Sequence, residues 1–174
     1  MTDTLSAVIK RENCVYTSCY CEENIWKLCE QIKNIKPECL ENCFVIFVSN
    51  HSKQVPIWFQ KSGHVEDDYL CVWDYHVFMI EKSSNGTLVF DFDTVLDFPV
   101  PFEIYVAKAL KPEFNRHYER LFRVIPSNTY LTCFASDRSH MKRKDGSYMQ
   151  EPPSYSPICT EGILIFLFIN KLKL

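Results

Sequence analysis

Glycine is scarce in this chain, four residues in 174, and no tract is of low complexity, which excludes a collagen-like or linker-type protein and argues against disorder. Basic residues are not in excess. The formal net charge of -3 gives no electrostatic reason to expect nucleic acid or an anionic membrane as partner, whereas small neutral or cationic substrates suit it. The start Met1-Thr2-Asp3-Thr4-Leu5 lacks the charged, apolar and cleavage regions of a secretory signal. The apolar run from Ile163 to Ile169 is far short of the roughly 20 residues that span a bilayer, so it reads as a buried strand or an adhesive tail. The metal-site spacing of paired cysteines is missing too: Cys19-x-Cys21 and Cys39-x3-Cys43 do not make the two-plus-two pattern of structural zinc.

What is plentiful is cysteine itself, nine residues, an odd number that points to a reducing compartment and not to a disulfide framework. The length and the 47% hydrophobic content fit one soluble domain with a real core. Residues 1–13 carry no period and are expected to form a mobile arm. Ile25, Leu28, Cys29 and Ile32 then fall at helical spacing behind the acidic Glu22 and Glu23, which predicts an amphipathic helix stopped by Pro37. Phe44 to Ser49 reads as a buried strand, Ile57-Trp58-Phe59 as a second, and Lys61 to Asp68 as a polar loop. Val72 to Ile80 and Thr87 to Phe92 read as a hairpin around Ser83-Ser84-Asn85-Gly86. Phe102 to Leu110 and Phe114 to Phe122 predict one or two helices, Arg123 to Ile125 a strand, and Ser136 to Pro157, with Arg138, Lys142, Arg143 and Lys144, a solvated loop. Helices with clustered antiparallel strands predict an α+β fold, or an α/β sandwich with a mixed sheet.

A thiol, an imidazole and a carboxylate follow one another along this framework, in the order of a cysteine acyl-transfer enzyme. Cys21 stands at the start of the predicted helix, where free backbone N–H groups and the helix dipole favour a thiolate and offer donors to an oxyanion. His76 lies on an otherwise apolar strand, among Val72, Phe78 and Ile80. Asp91 and Asp93 share one face of the partner strand, opposite or diagonal to His76 if the turn has an even number of residues, and a carboxylate there would orient the imidazole. Periodicity does not choose between them.

At these residues the sequence resembles the protein N-terminal glutamine amidohydrolases. The motifs are Cys14-Val-Tyr-Thr-Ser-Cys-Tyr-Cys21-Glu-Glu-Asn-Ile-Trp-Lys-Leu-Cys29, Pro56-Ile-Trp58, Val72-Trp-Asp-Tyr-His-Val77, Asp91-Phe-Asp-Thr-Val-Leu96, Phe122-Arg-Val-Ile125 and Phe134-Ala-Ser-Asp-Arg-Ser-His-Met141. The resemblance implies a triad of Cys21, His76 and Asp91, and so selects Asp91 over Asp93. It implies an α-β-α sandwich of papain-like or transglutaminase-like type with a mostly antiparallel sheet, acting as a monomer without metal or cofactor. The implied reaction converts an N-terminal glutamine of a protein or peptide to glutamate with release of ammonia, feeding the N-degron pathway in the cytoplasm and also the nucleus. Trp73, Asp74, Tyr75 and Glu22 are the candidate substrate-binding residues, and no nucleic acid or membrane partner is expected.

The resemblance divides the chain into an arm, 1–13, a catalytic domain, 14–153, and a divergent C-terminal tail, 154–174, because past Glu151-Pro-Pro153 the family continues with longer helical, Trp- and Gly-containing sequence. Two alternatives remain. One is another thiol acyl-transfer enzyme, a small cysteine protease or a transglutaminase-like cross-linker. The other is a catalytically compromised isoform that acts by interaction.

Overall fold

A computed structural model of the chain describes residues 5–114 and 119–160. The predicted amphipathic helix is α2, Cys21–Ile35, and its stripe of Ile25, Leu28, Cys29 and Ile32 is fully buried. A short helix α1, Leu5–Val8, precedes it. Next comes β1, Cys43–Ser49, whose side chains alternate between two cores: Val45 and Phe47 face α2, and Ile46 and Val48 face the other way.

The expected strand at Ile57 is shifted. Pro56 lies inside it: β2 is Val55–Ile57, and the chain leaves strand geometry at Phe59, which adopts a left-handed φ of 55°. The predicted strand from Val72 to Ile80 is two strands broken at Asp74, β3, Cys71–Trp73, and β4, Tyr75–Ser83. Among the described residues β3 pairs with β2 alone, while β4 joins the main sheet. The hairpin partner is β5, Gly86–Phe90, and Ser83 pairs with Gly86 across a two-residue turn in which Gly86 takes a φ of 116°. β6, Val100–Pro101, leads into α3, Phe102–Tyr105, which runs on through Leu110 as a wider π-type turn. β7, Leu121–Pro126, and α4, Ser127–Cys133, follow, and then a 3-10 turn, Ser139–Met141.

The main sheet has five strands in the order β6-β5-β4-β1-β7, and all its pairings are antiparallel. On one face α2 and α4 cover a core that includes Val77, Met79, Phe90, Tyr130 and Phe134. On the other, α3 and β2 cover Ile46, Val48, Phe78, Val89 and Tyr105. The result is a mixed α+β domain with helices on both sides of a mostly antiparallel sheet.

Three expectations need correction. Residues 5–13 pack on the domain, since Leu5 and Ile9 are fully buried in the α2-side core. A helix from Phe114 to Phe122 does not extend to its predicted end, because Leu121 and Phe122 belong to β7, whose register with β1 runs from Leu121 opposite Ser49 to Pro126 opposite Phe44. The loop from Ser136 to Pro157 is not simply solvated. Arg138 is buried within it, and Ile158, in the stretch assigned to the tail, enters the core. The apolar run from Ile163 to Ile169 lies outside the described residues.

Candidate active site

The site forms where β5 departs from β4. Their ladder ends with Met79 opposite Phe90. Continuing that register would set Asp93 directly across from His76 and Asp91 one diagonal step away, which is why periodicity could not separate them. Beyond Phe90 the chain turns instead, and the backbone N–H of Asp93 donates to Asp91 Oδ1 at 2.9 Å. Asp91 is thereby directed at the imidazole: His76 Nε2 lies 2.9 Å from Asp91 Oδ1, with both side chains wholly buried.

Four donors converge on the two oxygens of Asp91. Tyr105 Oη donates to Oδ2 at 2.8 Å and Gln60 Nε2 to the same atom at 3.1 Å, in addition to the Asp93 N–H and His76 on Oδ1. Such a cradle suits a carboxylate. Burial would raise the pKa of Asp91, but the His76 charge and these hydrogen bonds outweigh it and hold it at about 2. Burial works against the His76 cation, and Asp91 outweighs that as well, so His76 titrates above its ordinary value. The carboxylate also fixes the tautomer. Because Asp91 only accepts, Nε2 carries the proton and Nδ1 is left for other chemistry. Nδ1 is buried and has no hydrogen-bond partner among the described residues.

Cys21 opens α2 and is 8% exposed. The backbone of Val77, the residue after His76, acts to lower the pKa of its thiol. The thiol also lies 3.5 Å from Glu22 Oε2. Burial first, then the nearby charges of Glu22 and Asp93, push its pKa well up. Burial and Glu22 thus act against the thiolate that a helix start favours, so the thiol calls for a base. Tyr20, which precedes α2, gives it no side-chain cap.

The other candidates separate by depth. Trp73 stacks on His76, with ring centroids 5.1 Å apart and planes 19° from parallel, and its buried Nε1 is unpartnered among the described residues. Glu22 is buried, 7% exposed, and burial raises its pKa. Tyr75 is half-buried on the same side, its phenol pushed up by burial and by Glu22. Asp74 is exposed, and its carboxylate accepts from the backbone N–H of Tyr75. Asp93 accepts from Tyr16 Oη at 2.6 Å, and burial raises its pKa.

Gln60 and Tyr105 gave no sequence signal, since their meeting with Asp91 depends on a loop and a helix from different parts of the chain. Gly63 closes the Gln60 turn: its N–H donates to Gln60 O at 2.9 Å, and a Cβ there would collide with the Tyr69 backbone.

His76, Asp91 and Asp93 offer ligand atoms within 4.8 Å of one another, but a cation there would have to displace the His76–Asp91 hydrogen bond. A separate cleft of about 780 Å³, lined by Phe102, Glu103, Val106, Ala107, Lys111, Pro112 and Glu113, shares none of these residues.

A sequence profile of the N-terminal glutamine amidase family matches residues 16–170, which takes in every side chain of the site. The chain belongs to this family. Among its relatives, the Protein N-terminal glutamine amidohydrolase of Drosophila ananassae is 53% identical over 156 residues, 86% of this chain and 74% of the relative. The protein of the same name from Drosophila melanogaster is 53% identical over 160 residues, 88% of this chain and 76% of its own. That from Drosophila virilis is 52% identical over 156 residues, 86% and 74% respectively. The family match runs past residue 154, where the divergent tail was expected to begin.

Proposed function

We propose that this N-terminal glutamine amidase family member deamidates N-terminal glutamine of proteins and peptides to glutamate, releasing ammonia through a thioester on Cys21. The observation that carries the reading is the His76–Asp91 pair at 2.9 Å, which leaves Nδ1 buried and unpartnered among the described residues, while the backbone of Val77, next to His76 in the chain, favours the Cys21 thiolate. His76 Nδ1 takes the thiol proton as Sγ attacks the side-chain carboxamide carbon. Backbone N–H groups at the uncapped start of α2 receive the oxyanion. The imidazolium, stabilised by Asp91, gives its proton to departing ammonia, and the neutral ring then activates the water that hydrolyses the γ-glutamyl thioester.

Terminal selectivity follows from burial. With His76 and Asp91 inaccessible and Cys21 nearly so, the site admits a chain end more readily than a chain running through, which favours the amidase over a protease or a cross-linker. Glu22 is the anchor for the substrate's α-ammonium, Trp73 and Tyr75 wall the side-chain slot, and Asp74 stands outside at the mouth. When the ammonium arrives it neutralises the carboxylate that disfavours the thiolate, so a correct substrate helps to activate its own nucleophile. The same reading takes the fold as papain- or transglutaminase-like. It takes the protein as a monomer of the cytoplasm and nucleus whose product enters the N-degron pathway.

Purified protein should release ammonia from a glutamine-initiated peptide and none from one with acetylated or internal glutamine; ammonia from the internal glutamine would overturn the reading. Glu22→Gln should raise KM for the same peptide by roughly 10–100-fold, the worth of a charged hydrogen bond, with a smaller change in kcat. An unchanged KM would remove Glu22 from the binding site.

A further inference from the structure

A buried ion pair links the first turn of α2 to a distant part of the chain. The guanidinium of Arg138 grips Glu23 with both arms, Nε to Oε1 at 2.8 Å and Nη2 to Oε2 at 2.7 Å. Glu23 is 1% exposed and Arg138 8%. The remaining nitrogen, Nη1, donates to Tyr155 O at 3.1 Å and Pro153 O at 3.5 Å. The guanidinium also lies over the Tyr20 and Tyr155 rings, and Tyr20 Oη donates to Gln150 O at 3.3 Å. Arg138 thus rivets Pro153 and Tyr155 to the helix turn that carries Cys21.

That turn needs outside support. An N-cap side chain normally fixes a helix start, and α2 has none. A cap would also consume the N–H groups on which oxyanion stabilisation depends. In its place the turn is held at three points. Asn24 exchanges hydrogen bonds with the Thr17 backbone at 2.8 Å each way, Tyr130 Oη donates to Glu22 O at 3.0 Å, and Arg138 holds Glu23. Of these three, the last draws on the C-terminal segment. Stability alone is a weak reason for such a pair, since a buried ion pair is often no more stabilising than an apolar pair of similar volume. What it adds is direction, because a two-armed fork fixes both angle and distance.

We propose that Arg138 is a positioning residue for Cys21: by clamping Glu23 it holds the first turn of α2, and with it the thiol, at attacking geometry against the substrate. The inference rests on Cys21 being the nucleophile. It makes the segment around Arg138 part of the catalytic apparatus as well as of the core.

The test uses the full chain and three variants, with kcat and KM for a glutamine-initiated peptide, the iodoacetamide alkylation rate of Cys21 mapped by mass spectrometry, and thermal melting. Arg138→Gln should lower kcat by roughly 10–100-fold and slow Cys21 alkylation per folded molecule, with KM changed by less than about threefold, because misplacement of a reacting atom acts on the chemical step. The double variant Glu23→Met/Arg138→Met removes the stranded charge and should recover melting temperature without recovering kcat. If kcat returns with the melting temperature, Arg138 is merely structural and the proposal is overturned. If the double variant does not fold, Arg138→Lys decides, since it keeps the charge and loses the fork: kcat within about twofold of the parent overturns the proposal, and a larger loss supports it. Full activity in Cys21→Ala would instead remove the nucleophile reading, whatever Arg138 variants do.

Discussion

Cys21→Ala is expected to abolish ammonia release from glutamine-initiated peptides, a loss on the order of 10⁴-fold or more, while the protein still folds. The two halves of this expectation have different origins. Alanine removes one sulfur atom from a buried position on a helix, and it is the best helix former, so the structural cost is about 1–2 kcal/mol at most. Chemically nothing replaces the sulfur. His76 could still activate water, but water would have to take a place the site reserves for a covalent bond to the enzyme, and knockouts of nucleophiles in such units are among the most severe known. Cys29 and Cys43 are poor substitutes, being buried against Met79 and the Cys39 carbonyl respectively. Ammonia assay together with a melting curve checks both halves; appreciable activity in the variant would assign the chemistry to another group.

Asp91→Asn is expected to be nearly as damaging, with kcat lowered by roughly 10²–10⁴-fold. The size of asparagine is right and its hydrogen bonding is wrong. All four partners of Asp91 donate, from His76, the Asp93 backbone, Gln60 and Tyr105, so an amide that keeps its oxygen toward the Asp93 N–H and His76 turns its NH₂ on Tyr105 and Gln60, which must both reorient to accept. That rearrangement in a buried site is expected to cost about 1–3 kcal/mol of stability. His76 also loses the charge that raises its pKa, so burial prevails and the cation that must protonate ammonia becomes harder to form.

This has a pH signature. Asp91 in the parent titrates at about 2, below the ordinary aspartate range, so its contribution to stability is present above that range and disappears only as pH falls toward 2. His76, raised above its ordinary value, contributes below that value and loses its contribution as pH rises through its folded pKa. The parent should therefore lose stability at both extremes, and Asp91→Asn should flatten both limbs. A melting temperature measured across pH for the two proteins checks it, and parallel curves would contradict it.

How much of this was legible in the sequence differs by distance along the chain. The stripe of Ile25, Leu28, Cys29 and Ile32 gave α2 and its buried face because the period is local. Ser83 to Gly86 gave the hairpin, and with it the nearness of residue 76 to residues 91 and 93. The choice between the two aspartates was not local. It depends on the chain turning after Phe90, where Asp91 gains donors from Gln60 and Tyr105 that no spacing rule connects to it. The same holds for Arg138, read as part of a solvated basic cluster, whose partner Glu23 lies on a helix formed far earlier in the chain. Asp74 went the other way. It sat in the motif beside His76, yet it marks the break between β3 and β4, and its side chain stays in solvent. In Cys21 the helix position was right, and burial and Glu22, which no local pattern shows, act against the thiolate that a helix start favours.

The most direct measurement is rapid acid quenching of the protein during turnover of a glutamine-initiated peptide, followed by digestion and mass spectrometry. The expected species is the peptide, less one ammonia, joined to the fragment that carries Cys21. The same adduct on any other cysteine, or steady ammonia release with Cys21 unmodified in every quenched sample and freely replaceable, would contradict a thioester formed by that sulfur.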